Sequence, residues 1–135
     1  SGPSFTATSD DRCKFNETPI ANGLEVVRRL SPQKYDKVLS RQRLSPTYEV
    51  ISEAFVEELT DDVQSSKEAG LIAQELYTVI PDAVVPGDST DPWTVDFNHV
   101  VAYALQAIKD LDQIVQQQAA RIAAIENKKT RTSKT

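Results

Sequence analysis

The sequence predicts an α+β fold, mainly α with a few short β-strands: a small globular part followed by a long C-terminal helix that forms a trimeric coiled coil. Three observations predict it. From Phe97 to about Asn127 no proline or glycine interrupts the chain, which allows a helix of about 30 residues, or roughly 45 Å at 1.5 Å per residue. The inward positions of that stretch run Val101, Ala104, Ile108, Leu111, Val115, Gln118, Ile122 and Ile125, with gaps that alternate three and four. Such strict alternation is a coiled-coil seam, whereas a helix packed only on its own domain shows a broader stripe. Upstream of Phe97 the apolar runs are short and broken by turn signals, so only short helices and strands fit there.

Taken in order, Ser1-Gly-Pro-Ser4 reads as an expression remnant, with Phe5-Thr-Ala-Thr8 as a stub of upstream chain. Asn22-Gly23 is a turn signal, and Leu24, Val26, Val27 and Leu30 give a short amphipathic helix that Ser31-Pro32 stops. Residues 33–39 read as an extended segment. Residues 47–62 read as a second helix, because Tyr48, Ile51, Phe55, Val56 and Leu59 recur at helical spacing. A polar loop over 60–67 precedes a strand over 68–72, and that strand enters a helix over 73–79 that Pro81 ends. After a turn-rich link over 86–92, Trp93-Thr-Val95 reads as a last strand and Asp96 as the N-cap of the long helix. The predicted organisation is therefore a stub (1–8), a globular domain (9–96), a coiled-coil helix (97–127) and a disordered basic tail (128–135).

Ile at both seam positions near the end, Ile122 and Ile125, favours three strands over two, and Gln118 forms a polar layer that fixes register. No helix of matching length exists in the chain for a hairpin, so the seam points to self-association.

Composition excludes several classes of function. The net charge of -5 argues against a nucleic-acid surface, since phosphate binding needs a basic face. Only the tail Lys128-Lys129-Thr-Arg131-Thr-Ser-Lys134 is basic, and it reads as a solubilising end. No apolar run approaches the roughly 20 residues needed to cross a bilayer, and no signal peptide opens the chain, so a soluble piece is expected. Cys13 is the only cysteine, which rules out an internal disulfide and a cysteine-built zinc site; it reads as a small packing residue. The acidic cluster Glu49, Glu53, Glu57 and Glu58 has no accompanying histidine and reads as a solvated face. No metal or cofactor is expected.

The stretch Ser9-Asp10-Asp11-Arg12-Cys13-Lys14 carries the candidate chemistry, with a hydroxyl nucleophile five residues before an amine. A neutral lysine amine can take the hydroxyl proton of a serine, and Ser-Lys pairs replace the Ser-His-Asp triad in several unrelated hydrolases. The peptide carbonyl nearest Ser9 is that of Thr8, so attack there produces an ester and frees a new amino terminus at Ser9. An ordinary lysine amine titrates near ~10.4, leaving only about one in a few thousand neutral at pH 7, so such a base needs desolvation or a neighbouring cation. Arg12 is a candidate for that cation, or for positioning the loop through Asp10. His99, the only histidine, falls on the first turn of the long helix and reads as a packing residue, with a catalytic role as the alternative.

Further segments follow Ser9-Asp-x-Arg-x-Lys14 at characteristic distances: Gly23-Leu-Glu-Val-Val-Arg-Arg-Leu30, Pro32-Gln-Lys-Tyr35, Gly70-Leu-Ile-Ala-Gln-Glu-Leu76, Ile80-Pro-Asp-Ala-Val-Val85 and Ala107-Ile-Lys-Asp-Leu111. In that order, over about residues 9–126, the chain resembles the intramolecular chaperone auto-processing domain. That domain ends phage endosialidases, tail spikes and tail fibres and also occurs in the myelin regulatory factor. The resemblance implies a homotrimer that brings an upstream β-helical stem into register and then cuts itself off between Thr8 and Ser9. Ser9 would be the nucleophile and Lys14 the general base, with Asp10 and Arg12 as candidate supporting residues. It implies that the upstream stem is both substrate and client, with no nucleic acid, membrane, metal or cofactor involved. It also implies assembly on a virion in the host cytoplasm followed by release, with a cellular origin left open. The alternative function is a non-cleaving structural trimerisation tip of a fibre protein.

Overall fold

The computed structural model describes residues 6–38, 43–44, 50–52 and 55–133. The first regular helix, α1 (Gly23–Arg28), starts where the sequence places the turn. Asn22 sits in the left-handed region at φ 59, which an asparagine tolerates better than most residues, and its carbonyl accepts from the Val26 N–H at 3.0 Å. Leu30 closes the last turn onto Val27, and Pro32 then forbids further helix.

Strand β1 (Gln33–Val38) pairs antiparallel with β4 (Ser65–Gly70), Gln33 facing Gly70 and Val38 facing Ser65. The sequence places this second strand at 68–72, three residues later. Pairing decided the outcome: the six residues opposite β1 extend through Ser65, Ser66 and Lys67, which polarity alone marks as loop. Two cross-strand ion pairs, Lys67 with Asp36 at 3.1 Å and Lys37 with Glu68 at 3.7 Å, sit on this ribbon.

The helix expected over 47–62 is not formed. Val50–Ser52 is strand β3, paired with β2 (Arg43–Leu44), and residues 55–62 contain no helix. Residues 47–49 and 53–54 lie outside the described residues. Helical spacing alone does not stabilise a helix, because most helical stability comes from packing an apolar face. Here Phe55 and Leu59 remain exposed, while the β-branched Val50-Ile51 pair favours an extended partner.

Helix α2 (Ala73–Tyr77) follows β4 closely, and Pro81 starts a 3-10 turn (Pro81–Ala83) that leads into β5 (Val84–Val85). β5 pairs with β6 (Thr94–Val95). The core is built here. Leu76, Ile80, Ala83 and Val84 are buried, and Val26, Leu30, Trp93, Val95, Val100 and Tyr103 pack around them. Tyr77 meets Trp93 edge to face at 5.4 Å, a favoured aromatic geometry.

Asp96 ends β6 and caps α3 (Phe97–Ser133), its carboxylate accepting from the Asn98 N–H at 3.0 Å. α3 extends past the predicted end at Asn127, so residues 128–133 are helical instead of a disordered tail. Lysine and arginine are good helix formers, and at a helix C-terminus their charge opposes the macrodipole favourably. The Thr130 and Thr132 hydroxyls also bond back to the carbonyls of Glu126 and Lys128. One face of the first half of α3 packs on the body through Val100, Tyr103 and the buried Ala107, whereas residues 111–132 are exposed on every side. That free part is about 33 Å long at 1.5 Å per residue.

Candidate functional site

A single 3-10 turn (Asp11–Cys13) builds the site. Asp10 is its N-cap: the carboxylate accepts from the Arg12 backbone N–H at 2.8 Å, while Cys13 and Lys14 donate their N–H groups to the carbonyls of Asp10 and Asp11. An extended chain would separate residues five apart by about 17 Å. The turn instead folds the segment back, and Lys14 Nζ lies 2.5 Å from Ser9 Oγ.

Arg12 also reaches Asp10 with its side chain, Nε and Nη2 donating to the two carboxylate oxygens at 3.1 and 2.8 Å. This fork is the stronger, bidentate kind of ion pair. The guanidinium beside Asp10, aided by the Arg12 backbone N–H, holds the Asp10 carboxyl below the usual carboxylate range and raises the Arg12 guanidinium in turn. Arg12 is thus engaged by Asp10, and their ion pair braces the turn that carries Lys14.

Thr8, Ser9 and Lys14 are all exposed in the single chain. Water therefore reaches both members of the pair. Asn16, two residues beyond Lys14, lies in the left-handed region at φ 57. Cys13, expected to pack, is exposed instead, since a 3-10 turn of three residues with no buried member has no interior to offer it. His99 is not packed either: it is exposed and faces Asp96 at 3.7 Å on the first turn of α3. Among the described residues no group of three or more His, Cys, Asp or Glu side chains could hold a metal ion, and no helix is long and apolar enough to cross a membrane.

An open groove of about 750 Å³ lies between the β1–β4 ribbon and residues 88–97, lined in part by Tyr35, Phe55, Trp93 and Phe97. It includes neither Ser9 nor Lys14. The Ser9–Lys14 pair thus sits apart from this concavity, on an exposed turn adjacent to its own upstream peptide.

The residues expected to form a seam lie along α3. Val101, Ile108, Leu111, Val115, Ile122 and Ile125 are all exposed large hydrophobics on α3, with Ile108 62% exposed, and Gln118 lies exposed among them. Spacing does not single out Leu105, which adds to this stripe at 59% exposure. Its only sequence signal is its place directly after an inward position of the repeat.

The junction of α1 with α3 is also absent from the sequence reading. Asp110 accepts from the Leu24 N–H at 3.0 Å at the start of α1 and from the Gln106 side-chain amide at 2.9 Å. These two donors, the Gln106 amide first, hold the Asp110 carboxyl below its usual range. Gly23 is buried beside them, and a Cβ there would lie 2.8 Å from Gln106 Cβ and 2.9 Å from the Ala107 backbone N. The segment that follows the Ser9–Lys14 turn is thereby tied to the first half of the long helix.

Comparison with known proteins places these features in context. The sequence model of a peptidase family described as chaperone of endosialidase matches residues 9–85. The long tail fiber proteins Gp37 of Enterobacteria phages M1 and Ox2 are each 31% identical over 112 residues. That alignment covers 81% of this chain and 38% of each relative, so the chain spans well under half the length of the curated proteins it matches.

Proposed function

This chain belongs to the chaperone-of-endosialidase family, and from that premise we propose that it is the C-terminal intramolecular chaperone of a phage tail fibre, released by its own proteolysis between Thr8 and Ser9. The observation that carries this reading is the 2.5 Å approach of Lys14 Nζ to Ser9 Oγ immediately after the scissile bond.

In the resting arrangement Nζ donates to Oγ. The reaction uses the same contact in the opposite sense. A neutral Lys14 amine accepts the Ser9 hydroxyl proton as Oγ attacks the Thr8 carbonyl carbon. The C–N bond to Ser9 breaks, the proton passes to the departing Ser9 amine, and an ester joins Thr8 to Ser9 Oγ. Water then hydrolyses the ester, which releases the upstream chain with a carboxylate and leaves Ser9 as the new amino terminus. The Asp10–Arg12 clamp keeps the turn that sets this geometry. A positioned pair gains rate only while it stays oriented.

Because both groups are exposed in the single chain, the water exclusion that favours a neutral amine has to come from outside it. The folded upstream stem and neighbouring copies of the chain supply that exclusion, so cleavage follows assembly. Self-association through α3 is part of the same proposal. An exposed helix with an apolar seam, Ile122 and Ile125 in its last layers, suits three parallel strands. Three clustered chain ends give the stem a high effective local concentration for its slow, non-local pairing. Cutting off the chaperone afterwards removes the folding nucleus and leaves the mature fibre kinetically stable. In this reading the chain is associated with the virion during assembly.

The test is the mass of the chain carrying its native upstream stem, measured under denaturing conditions after expression. Two fragments, the smaller beginning at Ser9, are expected. A single uncut polypeptide in fully assembled material would support the non-cleaving trimerisation tip instead.

A further inference from the structure

We infer that Arg121 of one copy of this chain pairs with Glu126 of the next, and that this ion pair sets a parallel, in-register assembly of the long helices. The inference rests on the self-association proposed above and adds what determines its orientation.

With Val101, Ile108, Val115 and Ile122 as the first inward positions of each heptad, the residue just before each is a flanking position, and so is the residue just after Ala104, Leu111, Gln118 and Ile125. In parallel coiled coils such flanking residues of adjacent strands meet across the seam and set partner choice and orientation. The preceding residue of one strand faces the residue five positions later on its neighbour. Most of these pairings are uncharged or carry a single charge here: Ala107 would face Asp112, and Ile114 would face Ala119. Arg121 facing Glu126 is the pairing with opposite charges.

The surroundings fit this role. Arg121 and Glu126 are both exposed, on the part of α3 (residues 111–132) that is exposed throughout. Among the described residues neither side chain joins an ion pair, whereas Asp10, Arg12, Asp36 and Lys67 do. They also bracket Ile122 and Ile125, exposed at 56% and 58%, so association covers apolar area and joins the charges in one step. A slip by one heptad would set Arg121 against Ala119 or Ser133 and leave it unpaired, with Glu126 regaining a partner, Lys128, only in the first of these slips. An antiparallel neighbour would bring flanking positions of the same kind together and separate the two charges.

The experiment is a charge-swap series in the 135-residue chain. Arg121→Glu sets carboxylate against carboxylate at every interface, and Glu126→Arg sets guanidinium against guanidinium. Each variant alone should melt several degrees below the parent, with the deficit shrinking in high salt. Refolding the two together should give mixed assemblies beyond the share expected from random mixing, read by native mass spectrometry. The double variant Arg121→Glu/Glu126→Arg should recover the parent's melting temperature. If single variants melt with the parent and mix at random while the assembly itself persists, the pair is overturned and self-association stands. If the parent sediments as a monomer, self-association fails and the pair falls with it.

Discussion

Ser9 and Lys14 meet because Asp10, a good cap, stops the chain from running extended and Arg12 locks that cap from its other side. The two residues have separable roles in the proposed reaction. Ser9→Ala and Lys14→Ala should each abolish cleavage of a stem-bearing chain while leaving its assembly unchanged, because neither residue lies on the seam; gel mass and sedimentation report the two properties independently. Lys14→Arg should fail as well, since arginine stays protonated and cannot accept the proton. Normal processing in any of the three would overturn the assignment. Asp10→Ala releases Arg12 and the turn but leaves both reacting groups in place, so it should slow cleavage by up to about a hundredfold without abolishing it.

Among the elements, the contact of α1 with α3 is the one most sensitive to single atoms. A methyl group at Gly23 would press on Gln106 and on the Ala107 backbone, which cannot turn aside. Gly23→Ala should therefore destabilise the fold by about 1–3 kcal/mol, the usual cost of overpacking, measurable as a lowered denaturant midpoint. Asp110 acts at the same junction through charge. The hydrogen bonds from Gln106 and Leu24 hold its carboxyl below the usual carboxylate range, so the ionised form is the one the folded chain favours. Its contribution is complete above the unfolded-state value and is lost as pH falls through the lower folded value. Asp110→Asn should thus lower the melting temperature at pH 7, and the gap to the parent chain should close as pH falls below about 4. A gap that stays constant down to pH 3 would show that the carboxylate charge contributes nothing.

At the scale of the whole molecule, a small core carries a helix that projects about 33 Å beyond it with its apolar seam uncovered. Most helical stability comes from covering an amphipathic face, so under the proposed self-association the seam is where partners add to the helix's stability. Ile108→Asp together with Leu111→Asp would place carboxylates at consecutive seam layers in every strand. The expected result is a monomer by sedimentation, with cleavage of the stem-bearing chain lost alongside. An unchanged assembly would move the interface elsewhere, with the open groove between the β1–β4 ribbon and residues 88–97 the next surface to test.

The long helix, its Asp96 cap and the short helices at 23–28 and 73–77 are legible from sequence, because each depends on residues within a turn or two of one another, whereas the meeting of Ser9 with Lys14 is expected from the family resemblance and not from their spacing. Local propensity, capping and short-range turns require no knowledge of the rest of the chain. The β1–β4 register, the strand in place of a helix at 50–52 and the α1–α3 junction are decided only in three dimensions. A strand is chosen by its partner, and an amphipathic pattern becomes helix only where something covers its apolar face. Gly23 and Asp110 look like an ordinary turn glycine and a surface acid until Ala107 and Leu24 come within contact distance. Sequence thus determined the parts whose physics is local, and tertiary structure decided those whose energy comes from residues far along the chain.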